Sequence, residues 1–119
     1  MGYMTNYYMD IVSEKPLSVL GSIEAEVDRM NVFEDGNCRL GWNAWTTWYD
    51  WEEDMILLSR KFPDVLFKLN GSGEDSEDLW EAYFLNGRVQ ICPGRIVYDD
   101  FNLLKLIEKS TKQTKYSYQ

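Results

Sequence analysis

The chain has no histidine, only two cysteines and three prolines, and far fewer basic than acidic residues. Without histidine, Ser-His-Asp and Cys-His nucleophile arrangements are excluded, as is every His-ligated metal centre. Cys38 and Cys92 form no Cys-x-x-Cys pair, so the common thiol redox and zinc motifs are missing as well. No stretch approaches the run of about 18 apolar residues that a membrane span needs. The first ten residues hold neither a basic cluster nor an apolar run, so no signal peptide is expected. Lys and Arg number 12 against 20 Asp and Glu, a formal net charge of −8. That balance argues against direct binding of nucleic acid, which requires clustered positive charge. These absences together predict a cytoplasmic protein with free, buried thiols, no membrane association, no catalytic residue, no metal and no cofactor.

What is present suits a compact fold. Of 119 residues 45% are apolar and 15% aromatic, with five Trp and eight Tyr. That length supports one domain, expected over residues 1–108, with 109–119 (KSTKQTKYSYQ) as a polar, flexible tail. Thr5–Ser13 is rich in aromatic and β-branched residues and reads as a strand. Pro16 opens a helix in which Leu20, Ile23, Val27 and Met30 recur at three- and four-residue spacing. Cys38–Tyr49 reads as a second strand. Alternation sets Cys38, Leu40, Trp42, Ala44, Thr46 and Trp48 on one face, and Arg39, Asn43, Trp45, Thr47 and Tyr49 on the other. Asp50 is expected to cap a second helix, with Glu53 completing a capping-box-like pair, and Pro63 to stop it. Trp51, Met55, Leu58 and Phe62 form its apolar stripe.

Val65–Leu69 reads as a third strand, and Asn70-Gly71-Ser72-Gly73 as a flexible loop. Leu79–Leu85 and Arg88–Cys92 follow as strands joined by Asn86-Gly87, a strong hairpin signal. Arg95–Tyr98 reads as a short extended piece. A last helix is expected after Asp99 or Asp100, with Phe101, Leu104 and Ile107 inward. The fold class predicted is α+β: a β-α-β-α-β-β plait with an antiparallel-rich sheet, helices on one face and a short C-terminal helix.

Three stretches carry a resemblance: Trp48 to Met55 (WYDWEEDM), Lys61 to Phe67 (KFPDVLF), and Gly73-Glu74-Asp75 through Asp78–Phe84 to Asn86-Gly87. Over roughly residues 5–100 the chain resembles small proteins encoded by phages and mobile elements, and through them the YubB-like family with its ferredoxin-like fold. The resemblance implies a ferredoxin-like plait carried in an accessory region of such elements. It also implies an anti-defence role, anti-CRISPR inhibition included, and brings no catalytic residues with it.

Two features of the residues themselves bear on function. Trp42, Trp45, Trp48 and Trp51 repeat every third position, a spacing that fits neither one strand face nor one helix stripe. Core packing accounts for most of them, while Trp45 and Tyr49 are expected on an open sheet face as partner anchors. Second, Asp50, Glu52, Glu53 and Asp54 set four carboxylates in five positions, and Glu74, Asp75, Glu77, Asp78 and Glu81 set five in eight. A solvated helix terminus beside a solubilising loop is one reading. A glycosidase pair or a divalent-cation site lacks any supporting residue pattern. The remaining reading is a surface that imitates nucleic-acid phosphate. Residues 1–108 hold nine basic against 20 acidic side chains, a body near −11. The leading expectation is therefore a non-enzymatic, phage-type inhibitor. It would bind a host defence protein, a CRISPR effector foremost, through Asp50, Glu52, Glu53, Asp54, Glu74, Asp75, Glu77 and Asp78 on that partner's basic nucleic-acid-binding surface. The alternative is an interaction module or homodimer docking through Trp45 and Tyr49.

Overall fold

A computed structural model of the chain describes residues 2–30, 40, 41 and 43–110. The expectations for Cys38, Arg39, Trp42 and most of the 109–119 tail lie outside the described residues. Among the described residues five strands and two helices follow in the order β1 (Thr5–Ile11), α1 (Leu17–Met30), β2 (Asn43–Thr46), α2 (Trp51–Lys61), β3 (Phe67–Gly73), β4 (Leu79–Leu85) and β5 (Arg88–Pro93). The strands form one sheet in the order β2-β1-β3-β4-β5, and every neighbouring pair is antiparallel. The class is α+β. The α1 connection brings β2 back beside β1 in the opposite direction, leaving β3, β4 and β5 as a hairpin meander.

The period-two pattern of the strands decides which face is buried. Tyr7 and Met9 of β1, Phe67 and Leu69 of β3, and Ala82 and Phe84 of β4 all point to one side. There they meet Ile23 and Val27 of α1 and Met55 and Leu58 of α2 in a single core. Each fully buried side chain of this size contributes about 1.5–3 kcal/mol through removal from water. Both helices pack on this face alone. The opposite face carries the alternate residues in register: Trp45–Asn6–Ser72–Leu79, then Asn43–Tyr8–Asn70–Glu81–Cys92, then Asp10–Lys68–Tyr83–Gln90. None of these is buried.

Several local expectations are corrected. The stretch Asn70–Gly73, expected as a flexible loop, continues β3 and pairs with both β1 and β4. Gly71 is there because a ring needs its space: a Cβ would come within 2.2 Å of the Trp80 indole. Asp50 does sit at the start of α2, but its side chain makes no capping hydrogen bond, so the expected Asp50–Glu53 capping box does not form. The Asn86-Gly87 turn holds both residues at positive φ, 46° and 83°, as a two-residue hairpin demands. It is tied down by Ser59 of α2, whose buried hydroxyl accepts from the Gly87 N–H at 2.8 Å and donates to the Ile56 carbonyl.

The last helix is also corrected. Residues 94–110 contain only a 3₁₀ turn, Leu103–Lys105, capped by Asn102 rather than by Asp99 or Asp100. Phe101, Leu104 and Ile107, expected inward, are 77%, 91% and 69% exposed. Nothing in this arm joins the core. Pro93 is the last residue of β5, and the Gly94 N–H still bonds the Leu79 carbonyl at 2.7 Å.

Candidate functional site

The two acidic segments are brought to the same end of the molecule. The β3–β4 loop that carries Glu74, Asp75, Glu77 and Asp78 is closed by a Gly73 N–H to Asp78 carbonyl bond of 2.9 Å, with an inner turn from Asp78 N–H to the Asp75 carbonyl. Three bonds fasten it to the start of the chain. Tyr3 donates its hydroxyl hydrogen to Asp78 Oδ2 at 2.8 Å, the Asp75 N–H donates to the Tyr3 oxygen at 3.0 Å, and the Met4 N–H donates to Glu74. The Tyr3 carbonyl in turn accepts from Thr47 Oγ1, the residue just after β2. Meanwhile the indoles of Trp51 and Trp80 stack at 4.2 Å, joining the first residue of α2 to the second residue of β4. The N-terminal turn of α2 (Asp50, Glu52, Glu53, Asp54) thus lies beside the loop bearing the second cluster.

The carboxylates divide by use. Asp54 accepts the indole N–H of buried Trp48 at 2.8 Å, and Glu74 and Asp78 hold the loop as described. Asp50, Glu52, Glu53, Asp75 and Glu77 are exposed. Glu81, counted by sequence with the second cluster, turns to the open sheet face. There it accepts from Asn70 and Tyr83 and pairs with Lys68 at 3.8 Å. The loop is therefore a bonded hairpin end, not a tether from which acidic side chains project.

Between the two acidic segments lies a cavity of about 260 Å³. Its base is Tyr7 and Trp48, ring edge to ring face at 5.3 Å. Tyr3, Tyr49, Trp51 and Trp80 complete the walls, with Asp78 as the charged group in the lining. Tyr49 was expected on the open sheet face beside Trp45; it lies instead after β2, on this cavity, 76% exposed. Trp45 alone is on the open face, at 57% exposure, and the two anchors do not share a surface. Burial raises the Tyr7 phenol above its usual range, and the negative charge of Asp78 adds to that. For Tyr3 the bond from the Asp75 amide favours the phenolate, yet partial desolvation and the bond to Asp78 outweigh it and the net shift is upward. Both hydroxyls feel the Asp78 carboxylate.

The open face holds a second, shallower concavity of about 680 Å³, lined by Asn6, Tyr8, Asn43, Asn70, Ser72 and Glu81 among others. Its polar groups bond largely to one another, as in the Asn6–Asn43 contact at 3.3 Å. Cys92, expected to be buried, is a half-buried free thiol on the rim of this face. Among the described residues no group of three Asp, Glu or Cys side chains comes together that could hold a metal ion. No described helix is long and apolar enough to cross a membrane. The aromatic cavity escaped sequence reasoning because Tyr3, Tyr7 and Trp80 are far from Trp48 and Trp51 along the chain; only the register of β1, β3 and β4 unites them. Compared with protein-family models, with curated proteins and with solved structures, the chain finds no match.

Proposed function

We propose that this chain is a non-enzymatic binding protein that docks onto a basic surface of a partner protein through the end of its sheet where α2 and β4 begin. One observation carries this reading: segments 50–54 and 74–78, separated by some twenty residues, are held side by side by the Trp51–Trp80 stack and the Tyr3 bonds. Five exposed carboxylates on a fixed scaffold make a negative field with little conformational entropy to lose on binding. The partner class we propose is a host defence protein, a CRISPR effector foremost. Its nucleic-acid channel offers the clustered Lys and Arg that such a surface fits, and the acidic end would occupy it in place of phosphate. The ferredoxin-like plait implied by the resemblance to phage and mobile-element proteins belongs to the same proposal. The five-stranded α+β sheet with helices on one face supports it at the level of class.

The test is charge reversal at Glu52, Glu53, Asp75 and Glu77, all exposed, in a pull-down and inhibition assay against candidate effectors. The proposal expects binding to fall at least about tenfold, and wild-type binding to weaken as salt is raised. A folded reversal variant that inhibits as well as the wild type overturns it. One observation favours a second reading: Trp45 lies exposed on an edge strand of a face that no helix among the described residues covers. If that face is the docking surface, for a second copy or another protein, Trp45→Ala abolishes association and salt has little effect.

A further inference from the structure

The cavity between the acidic segments has a composition that selects its occupant. Six of its eight lining residues are aromatic, Thr5 and Asp78 are the other two, and among the described residues no lysine or arginine lines it. A ring face carries negative potential and attracts a cation within about 6 Å of its centroid, the more so where water is displaced. A neutral apolar group would gain the same contact area but leave Asp78 facing it without a counter-charge. An anion would meet Asp78 together with the exposed carboxylates of both segments, and is disfavoured.

We infer that this cavity is a binding site for a guanidinium or alkylammonium group, and that an arginine side chain of the partner fills it. The inference rests on the binding role proposed above for the source of the cation, and names the contact that would anchor it. The geometry supports arginine in two ways. Asp78 Oδ2 already accepts from Tyr3, while Oδ1 holds no hydrogen bond among the described residues. A guanidinium can donate to that oxygen while its flat face lies against an indole or phenol, an arrangement open to Arg and poorly matched by a compact ammonium. Tyr49 is the most exposed of the aromatic walls and is open to contact with an incoming side chain.

The site can be tested without any partner. N-acetyl-arginine amide is titrated into the ¹⁵N-labelled protein, following the indole N–H signals of Trp48, Trp51 and Trp80, with N-acetyl-citrulline amide as the neutral isostere. We expect saturable shifts of these signals with the arginine derivative and none with citrulline. Tyr49→Ala should lower the apparent affinity about two- to fivefold, and Asp78→Asn by about tenfold or more. Because Asp78 also holds the loop, Tyr49→Ala, at an exposed position, keeps the test informative if Asp78→Asn unfolds. Equal shifts with citrulline, no saturable shift, or shifts unchanged in Tyr49→Ala overturn the site. The probe is the arginine derivative alone, so these outcomes are separate from those of the charge-reversal assay.

Discussion

Trp51 and Trp80 lie face to face, ring centroids 4.2 Å apart and planes inclined by only 18°, and Gly71 is the residue that makes this arrangement possible. Trp80 pairs with Gly71 across β3 and β4, and its ring occupies the volume a side chain would fill. Substituting Gly71→Ala places a methyl group against the indole and should cost about 1–3 kcal/mol through overpacking. The near-UV circular dichroism of the stacked indoles should weaken in the same variant. A Gly71→Ala protein with unchanged urea midpoint and unchanged near-UV signal would show that Trp80 is not held there.

A contrast between two acidic residues of one helix turn separates structural from free carboxylates. Asp54 accepts the Trp48 indole N–H, and Trp48 is only 5% exposed. Removing this charged acceptor in Asp54→Ala should cost about 1–3 kcal/mol. Glu53→Ala, at an exposed position, should stay within about 0.5 kcal/mol. Equilibrium urea unfolding of both variants checks the difference, and equal losses would contradict the division.

Acid should loosen the two helices from each other. Glu26 of α1 bonds Lys61 of α2 and Arg29 of its own helix. The hydrogen bond from Lys61, then the charges of Lys61 and Arg29, hold its carboxyl below the usual 4.5 despite some desolvation. A depressed folded-state value means the contribution is complete above pH 4.5 and is lost as pH falls through the lower, folded value. The stability difference between wild type and Glu26→Gln should therefore shrink progressively below pH 4.5. A difference independent of pH would show that the ion pairs do not form in solution.

What the sequence disclosed depended on how local the signal was. The α1 stripe Leu20, Ile23, Val27 and Met30 and the α2 stripe around Met55 and Leu58 are set by helical period alone; Ile23, Val27, Met30, Met55 and Leu58 do reach the core, while Leu20 is not part of it. The Asn86-Gly87 hairpin was legible because its two positive φ angles need those residue types. The continuation of β3 through Gly71 and Gly73 was not, since glycine signals a loop unless one knows that Trp80 and the Tyr3–Asp78 pair stand opposite. The exposure of Trp45 followed from alternation, but Tyr49 lies past the end of β2, where alternation no longer applies. The acidic segments were visible as composition; their convergence is a matter of sheet register.

The arm that follows Gly94 should be removable at little cost to stability. An apolar helical pattern is expected only after Asp99 or Asp100, with Arg95–Tyr98 extended; Val97, Tyr98, Phe101 and Leu104 are all more than three-quarters exposed. Among the described residues, all the buried apolar core members lie between Tyr7 and Phe84, and the arm adds none to them. A chain ending at Gly94 keeps β5 intact through Pro93 and retains the Gly94 N–H to Leu79 carbonyl bond of 2.7 Å. Its thermal midpoint should lie within about 2 °C of the full chain, because about 1 kcal/mol moves a domain of this size by several degrees. Removing so much exposed apolar surface should also lower self-association at high concentration, read by light scattering. A drop in midpoint of more than about 5 °C would mean that the arm packs on the body and that its apolar side chains belong to the core.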